Sequence, residues 1–261
     1  PLMDSPALVL FLVTACLGAY VQAVAGFAMG LLMMAVMAAS GLVALPVTAA
    51  AVSLLALTNI LWSLHGHVHE VSRRLLGVLA LSVVPAVGSG VWALGVLDRH
   101  HVRLLEALFA LFIIAGSLSM LWQPRPLRNA SGACATFTAG FAGGVLGGLF
   151  AASGPVLGWF MYRQPLPIAS VRATLLAFFA LASSTRLVLV GASGGLTQAV
   201  WISAGLALPL VLLGTWLGRR YPPSFGEAGL RRAAFGLLLV IGIWMLIHAA
   251  LVGTCNPACS R

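Results

Sequence analysis

Long apolar stretches dominate this sequence and leave few places where it can meet water. Eight of them can be marked off by the polar residues between them: 6–39, 43–64, 75–97, 102–122, 132–162, 168–190, 196–218 and 230–252. Six have roughly the 20 residues that a helix needs to cross about 30 Å of hydrocarbon. Only 7% of the residues are charged, whereas a soluble domain has about 25%. The sequence therefore predicts an all-α polytopic membrane protein.

Two of the stretches, the first and the fifth, are too long for one spanning helix. Each exceeds 30 residues and would extend about 45–50 Å if straight. Glycines and a proline interrupt them at Gly26-Phe-Ala-Met-Gly30, at Gly143-Gly-Val-Leu-Gly-Gly148 and at Ala151-Ala-Ser-Gly-Pro155. Broken backbone at membrane depth is tolerated where it faces protein or a water-filled cavity. We therefore expect each stretch to form a hairpin of two short helices around a break.

The arginines between the stretches favour this hairpin arrangement. With two hairpins, six helices cross the membrane, both termini lie outside, and ten arginines lie inside against three outside. Eight simple crossings would place eight inside and five outside, which fits the positive-inside rule less well. Paired arginines between apolar stretches also indicate membrane flanks, so a nucleic-acid partner is not expected.

The two halves of the chain resemble each other at a spacing of about 125 residues. The segment Gly26–Gly30 aligns with Ala151–Pro155. The loop with Arg73 and Arg74 is charged, whereas its counterpart at 191–197 is not, as opposite orientations predict. We expect two inverted repeats within one membrane domain, each a broken helical hairpin plus three transmembrane helices. The repeats are 1–125 and 126–261.

A break in each of two inverted repeats is typical of secondary transporters, whose substrate site lies between the breaks. The N-termini of half-helices there present N–H groups and a partial positive charge, which suit an anion. From the breaks and their flanks we assign to this site Gly26, Phe27, Gly30, Gly147, Gly148, Ser153, Gly154 and Pro155. Close helix packing through small residues is the alternative interpretation.

Polar side chains near the breaks complete the candidate site, namely Gln22, Asn59, Arg172, Ser183 and Arg186. Gln22, Asn59 and Ser183 either line a polar cavity or join helices by hydrogen bonds. Arg186 lies within a span, where it either binds the anion or extends to the outer interface. Arg172 begins the same helix and either anchors it at the interface or gates the cavity.

Signatures of enzymes are missing from the sequence. It has no P-loop, no zinc-protease helix and no carboxylate pair, so neither a catalytic activity nor a resident cofactor is expected. His65, His67 and His69 have a spacing that metal ligands use, but they lie in a polar loop, and we interpret them as a solvated loop. A membrane redox subunit is the alternative that would need these histidines.

The run Gly143-Gly-Val-Leu-Gly-Gly-Leu-Phe-Ala-Ala-Ser-Gly-Pro-Val-Leu157 and the segments after it carry a resemblance. With Val171-Arg-Ala-Thr174, Arg186 and Gly194-Gly-Leu-Thr197, the run resembles the second half of the sulfite exporter TauE/SafE family. The first break is similar to that family's N-terminal glycine motif. Both breaks contain fewer glycines than the family pattern. One interpretation of this difference is that the substrate differs from that of other family members.

The resemblance implies a bacterial inner-membrane carrier that exports sulfite or small organosulfonates such as sulfoacetate, with both termini periplasmic. A passive anion channel, or an uptake permease for another small organosulfur compound, is the alternative. The expected partners are a small anion and the lipid bilayer, and a homodimer is compatible with the sequence. Cys255 and Cys259 form either a disulfide or two free thiols.

Overall fold

The computed structural model describes residues 5–25, 28–122, 127–221 and 226–254, and helices account for most of these residues. The described helices are α1 (Ser5–Ala25), α2 (Met29–Ser40), α3 (Leu45–Leu64), α4 (Arg73–His100), α5 (Val102–Leu121), α6 (Ala133–Phe150), α7 (Gly154–Tyr162), α8 (Ile168–Ala192), α9 (Gln198–Arg220) and α10 (Gly226–Thr254). A short 3₁₀ turn, Val68–Glu70, connects α3 to α4. Each predicted stretch is one helix, or two for the first and fifth. The predicted all-α polytopic fold is confirmed.

Both overlong stretches break beside an alanine with a left-handed backbone. Ala28 precedes α2 with a φ of 109°, and Ala151 follows α6 with a φ of 52°. Side chains disfavour positive φ because Cβ crowds the neighbouring carbonyl. Among the residues that the structure describes, these two are the only non-glycine residues with positive φ. The backbone strain of the described chain is therefore concentrated at the two breaks.

The two arms of each hairpin are unequal, which differs from the expected pairs of short helices. α1 has 21 residues and α6 has 18, so each extends about 27–31 Å and is long enough to cross the hydrocarbon alone. α2 has 12 residues and α7 has 9. The expectation that Gly143–Gly148 breaks the helix is wrong, because this run lies inside α6 and the chain leaves the helix only at Ala151.

Helix packing explains why the glycine run stays helical. A side chain at Gly144 would meet Ala86, and one at Gly148 would meet Gly90 and the Val87 carbonyl, all on α4. Small residues allow helix backbones in membranes to approach this closely. The contact between α4 and α6 therefore offsets the low intrinsic helix propensity of glycine.

Helix contacts in one half recur in the other when equivalent helices are exchanged. α1 packs along α9 as α6 packs along α4. α3 packs against α8, and α5 packs against α10. Two structural repeats related by a pseudo-two-fold axis produce such exchanged pairs. The opposite orientation of the halves in the membrane, and the boundary near residue 125, remain predictions.

Large apolar side chains cover the outside of the bundle. Leu81, Trp92, Val188 and Val240 expose between 65% and 73% of their surface. Seven of the described helices are long and apolar enough to cross a membrane. Exposed apolar surface on this scale is unfavourable in water, so lipid covers it. The chain is therefore a multi-pass membrane protein.

Arginines collect at one end of the bundle, which we call the arginine-rich face. This face comprises the end of α3, the starts of α4 and α8 with Arg172, and the end of α9 with Arg219. Arg219 Nη2 donates to the Ser63 carbonyl at 2.9 Å. The Ser72 N–H donates to Thr174 Oγ1 at 3.0 Å. These two bonds tie together helix ends from both halves of the chain.

Candidate functional site

The two breaks touch each other inside the bundle. Gly30, in the first turn of α2, lies against the Ala151 carbonyl, and no space for a side chain remains between them. A cavity opens beside this contact, between α3 and α8. Its empty space is about 510 Å³, with any open solvent at its mouth included. We call it the break cavity. The residues of the breaks that line it are Ala28, Gly30, Leu31, Ala151, Ala152, Ser153 and Gly154.

Two helices begin at the break cavity. α2 starts after Ala28 and α7 starts after Ser153, and neither of these residues caps its helix with a side-chain hydrogen bond. N–H groups in the first turn of a helix lack partners within the helix, and this end carries about half a positive charge. Pro155 offers no N–H, so α7 presents fewer donors than α2. Both helix starts favour a negatively charged ligand in the cavity between them.

Arg186 adds a full positive charge to the break cavity. Its side chain is buried, with 2% exposed, and its Nη1 donates to the carbonyls of Gly147 (3.1 Å) and Gly148. These carbonyls belong to the last turn of α6, where cations are favoured. The Arg186 Nε has no hydrogen-bond partner among the described residues. The side chain is therefore fixed by α6 inside the bundle, away from the outer interface, and it keeps a donor for a ligand.

Gln22, on α1, is a buried amide at the same cavity. Its side chain is 5% exposed, and its Nε2 has no hydrogen-bond partner within the described part of the chain. A buried donor left without a partner costs about 1–3 kcal/mol of folding free energy. A ligand that accepts a hydrogen bond from this nitrogen would remove that cost.

Seven of the thirteen residues assigned from the sequence line the break cavity, namely Gln22, Gly30, Gly147, Ser153, Gly154, Ser183 and Arg186. Ser53 of α3 is the other polar residue in its described lining. Gly26 and Phe27 lie outside the described residues. Whether the seven bind substrate remains a prediction, but the structure brings them together in one space.

Asn59 was expected in the site and lies elsewhere. It is fully buried between α2 and α9, where its Oδ1 accepts from Thr215 Oγ1 at 2.6 Å. Its Nδ2 donates to Met29 Sδ at 3.5 Å. Both ends of the amide are therefore used in joining helices, which was the alternative interpretation of this residue.

Three further residues assigned from the sequence do not line the break cavity. Gly148 contacts α4, because this glycine belongs to the small-residue face of α6. Pro155 packs against Gly116 of α5, where a side chain on Gly116 would meet the proline ring. Arg172 is half-buried at the arginine-rich face and lines a different cavity.

Sequence reasoning missed several residues of the break cavity. Ser53 and Phe179 line it from α3 and α8, the two helices that enclose it. Ala28 and Ala151 line it at positions where positive φ normally selects glycine. A serine or phenylalanine within an apolar helix gives no signal of which face it occupies, and alanine gives no signal of a break.

The histidine loop shows no arrangement for a metal. Among the described residues, no group of three or more His, Cys, Asp or Glu side chains could hold one. His67 Nδ1 and His69 Nε2 lie 3.6 Å and 3.9 Å from the Glu70 carboxylate, in the exposed segment after α3.

The described lining of the break cavity contains one charged side chain, Arg186, and no carboxylate. This chemistry suits the binding of a small anion.

Comparison with known proteins decides the family. Residues 10–245 match the family model described as "Sulfite exporter TauE/SafE", which spans both breaks and most of the chain. The chain belongs to the sulfite exporter TauE/SafE family. The resemblance noted in the sequence is therefore confirmed.

Two curated proteins are similar to this TauE/SafE member. One, named "Probable sulfite/organosulfonate exporter TauE", comes from Cupriavidus necator and is 37% identical over 232 residues, covering 89% of this chain and 91% of that protein. The other, "Probable inner membrane transporter protein TsaS" from Comamonas testosteroni, is 26% identical over 188 residues, covering 71% of this chain and 77% of that protein. No solved structure matches the chain.

Proposed function

We propose that this protein is a secondary transporter that exports sulfite or small organosulfonates across the bacterial inner membrane. The observation that carries the proposal is the break cavity, where two helix N-termini and the buried Arg186 face one small space. Membership of the TauE/SafE family and the name of the Cupriavidus necator relative support a sulfur oxyanion as the substrate.

The electrostatics of the cavity explain how it would hold such an anion. The oxygens of sulfite or a sulfonate accept hydrogen bonds from the free N–H groups of α2 and α7 and from the Arg186 guanidinium. Gln22 and the Ser153 and Ser183 hydroxyls provide neutral donors around the charge. Binding between two breaks allows the site to face each side of the membrane in turn.

The orientation follows from the arginines. Because positive loops remain in the cytoplasm, the arginine-rich face is the cytoplasmic end and both termini are periplasmic. Membership of a transporter family supports our expectation that the protein acts by transport and not as an enzyme. The inner-membrane location agrees with the name of the Comamonas testosteroni relative.

Ligand-dependent thermal stability of the purified protein tests the proposed substrate. A ligand that binds only the folded state raises the melting temperature. We expect sulfite or an anionic sulfonate such as sulfoacetate to raise it. Chloride, sulfate and taurine, a sulfonate without net charge, should have a smaller effect. No shift with any sulfur anion would contradict the proposal.

A further inference from the structure

A second cavity opens at the arginine-rich face, and we call it the arginine vestibule. The polar and charged residues that line it are Gln22, Ser63, His67, Glu70, Arg172 and Arg219. They come from α1, the end of α3 and the segment after it, the start of α8 and the end of α9. The vestibule has about 720 Å³ of empty space, with any open solvent at its mouth included. Apart from Gln22, its lining residues differ from those of the break cavity.

One face of α8 lines both cavities. Arg172 and Leu176 line the arginine vestibule, whereas Phe179, Ser183 and Arg186 line the break cavity. These five positions follow one another at intervals of three or four residues, so they lie along the same side of the helix. The face has an arginine at each end.

The face of α3 opposite α8 also lines both cavities. Ser53, Ala56 and Ile60 line the break cavity, and Ser63 continues the same helical face into the arginine vestibule. α3 packs directly against α8. The two cavities are therefore consecutive compartments between the same pair of helices.

Gln22 lies at the junction of the two compartments. It is the polar residue that lines both of them, and its Nε2 is buried without a partner among the described residues. An anion passing from the vestibule to the break cavity would meet this donor between Arg172 and Arg186.

The charges of the vestibule favour anions. Arg172 and Arg219 outnumber Glu70, the one carboxylate among the described lining residues. Glu70 lies near His67, and Arg219 is oriented by its bond to the Ser63 carbonyl. A concave site with excess positive charge raises the local concentration of anions.

We propose that the arginine vestibule is a second anion site, in which Arg172 and Arg219 bind the sulfur oxyanion before it passes Gln22 into the break cavity. This inference rests on the proposed function, because it assigns the entry route of the same substrate. It also assigns one end of this route to the arginine-rich face. Arg172 and Arg219 thus act on capture, and Arg186 acts on the bound anion.

Charge-selective labelling tests the vestibule without requiring transport. In a cysteine-free background, Ala169→Cys places one thiol in its lining at an exposed position. The thiol is treated with a sulfonate-bearing or a trimethylammonium-bearing methanethiosulfonate, and the ratio of the two rates is measured. Arg172→Gln and Arg219→Gln should each lower this anion-to-cation ratio about tenfold, because a unit charge at about 6 Å in water changes each of the two rates about threefold and in opposite directions.

Arg220→Gln is the matched control, since Arg220 lies beside Arg219 at the end of α9 but does not line the vestibule. Arg220→Gln should leave the anion-to-cation ratio within about 1.5-fold of the value measured with all three arginines present, because a more distant exposed charge is screened. Equal ratios in all three variants would overturn the proposal.

Transport kinetics in proteoliposomes give the second measurement. Arg172→Gln and Arg219→Gln should raise the KM for sulfite about threefold at low salt and leave kcat unchanged, and high salt should remove the difference. A fall in kcat with unchanged KM would overturn a role in capture. If the unsubstituted protein moves no sulfur anion while the labelling ratio still depends on both arginines, the proposed function fails and the anion-selective vestibule stands.

Discussion

Arg186 combines a structural contact with a free donor, and these two tasks can be separated by substitution. Arg186→Gln removes the charge, so we expect it to weaken sulfite binding by about 10- to 100-fold, as for the loss of one charge-assisted hydrogen bond. Arg186→Lys keeps the charge but loses the planar fork, and its affinity should lie between the two. Titration of the melting temperature with sulfite measures both variants. Affinity equal to that of the unsubstituted protein in folded Arg186→Gln would exclude a role in binding.

Gln22 and Asn59 are both buried amides within apolar helices, and their different contacts predict opposite roles. Gln22→Met removes a donor that has no partner among the described residues, so stability should be unchanged or higher while sulfite affinity falls about tenfold. Asn59→Leu removes the bond to Thr215 and should lower the free energy of unfolding by about 1–3 kcal/mol with affinity unchanged. The same effect of both substitutions on affinity would contradict this assignment.

The sequence was sufficient to pick out candidate site residues. It was only partly sufficient to predict which of them line the same cavity. Arg186 and Gln22 are unusual within apolar stretches, which made them candidates. Asn59 is equally unusual and yet joins α2 to α9. A single sequence does not distinguish a polar side chain facing a cavity from one facing another helix, because both sit within apolar surroundings.

At the scale of the element, the contact between the two breaks depends on Gly30. We expect Gly30→Ala to separate the start of α2 from Ala151, because its side chain would collide with the Ala151 carbonyl. The melting temperature should fall and sulfite binding should be lost.

Gly77→Ala is the control for this prediction. Gly77 lies in α4, and a side chain there meets no atom within 4 Å in the described structure. Alanine favours a helix by about 0.5–1 kcal/mol over glycine, so this variant should be equally or more stable. Equal melting temperatures for Gly30→Ala and Gly77→Ala would show that the breaks do not depend on their close contact.

Helices were predictable from the sequence because length and polarity determine a span. The eight stretches appear with their expected positions, and the first break falls near Gly26–Gly30. The second break was placed too broadly, since glycine both weakens helices and permits close packing, and in α6 the packing against α4 prevails. The faces of α3 and α8 that enclose the cavities could not be identified, because helices that are apolar on all sides carry no amphipathic stripe.

At the scale of the whole molecule, orientation in the membrane can be checked by thiol labelling. His69→Cys lies near the arginine-rich face and Ser193→Cys lies in the loop between α8 and α9, and both positions are exposed. In a cysteine-free background, a membrane-impermeant maleimide should label Ser193→Cys in intact cells and His69→Cys only after lysis. The reverse pattern would place the arginine vestibule on the periplasmic side.

The contacts between helices relate the two halves of the molecule in a way that suits alternating access. The two breaks touch at the centre, and α3 and α8, which are equivalent under the exchange, enclose both cavities. Rocking of one half against the other about this centre would close the arginine vestibule and open the opposite side. The substrate site would stay near the contact between Gly30 and Ala151 throughout.

Counterflow of labelled sulfite tests the central claim most directly. Proteoliposomes loaded with unlabelled sulfite are diluted, without oxygen, into a trace of ³⁵S-sulfite, and the label inside is followed with time. A carrier exchanges external label for internal sulfite, so we expect a transient accumulation above equilibrium, which Arg186→Gln should abolish. Entry to equilibrium without an overshoot would indicate an anion channel, and entry no faster than in protein-free liposomes would contradict transport of sulfite.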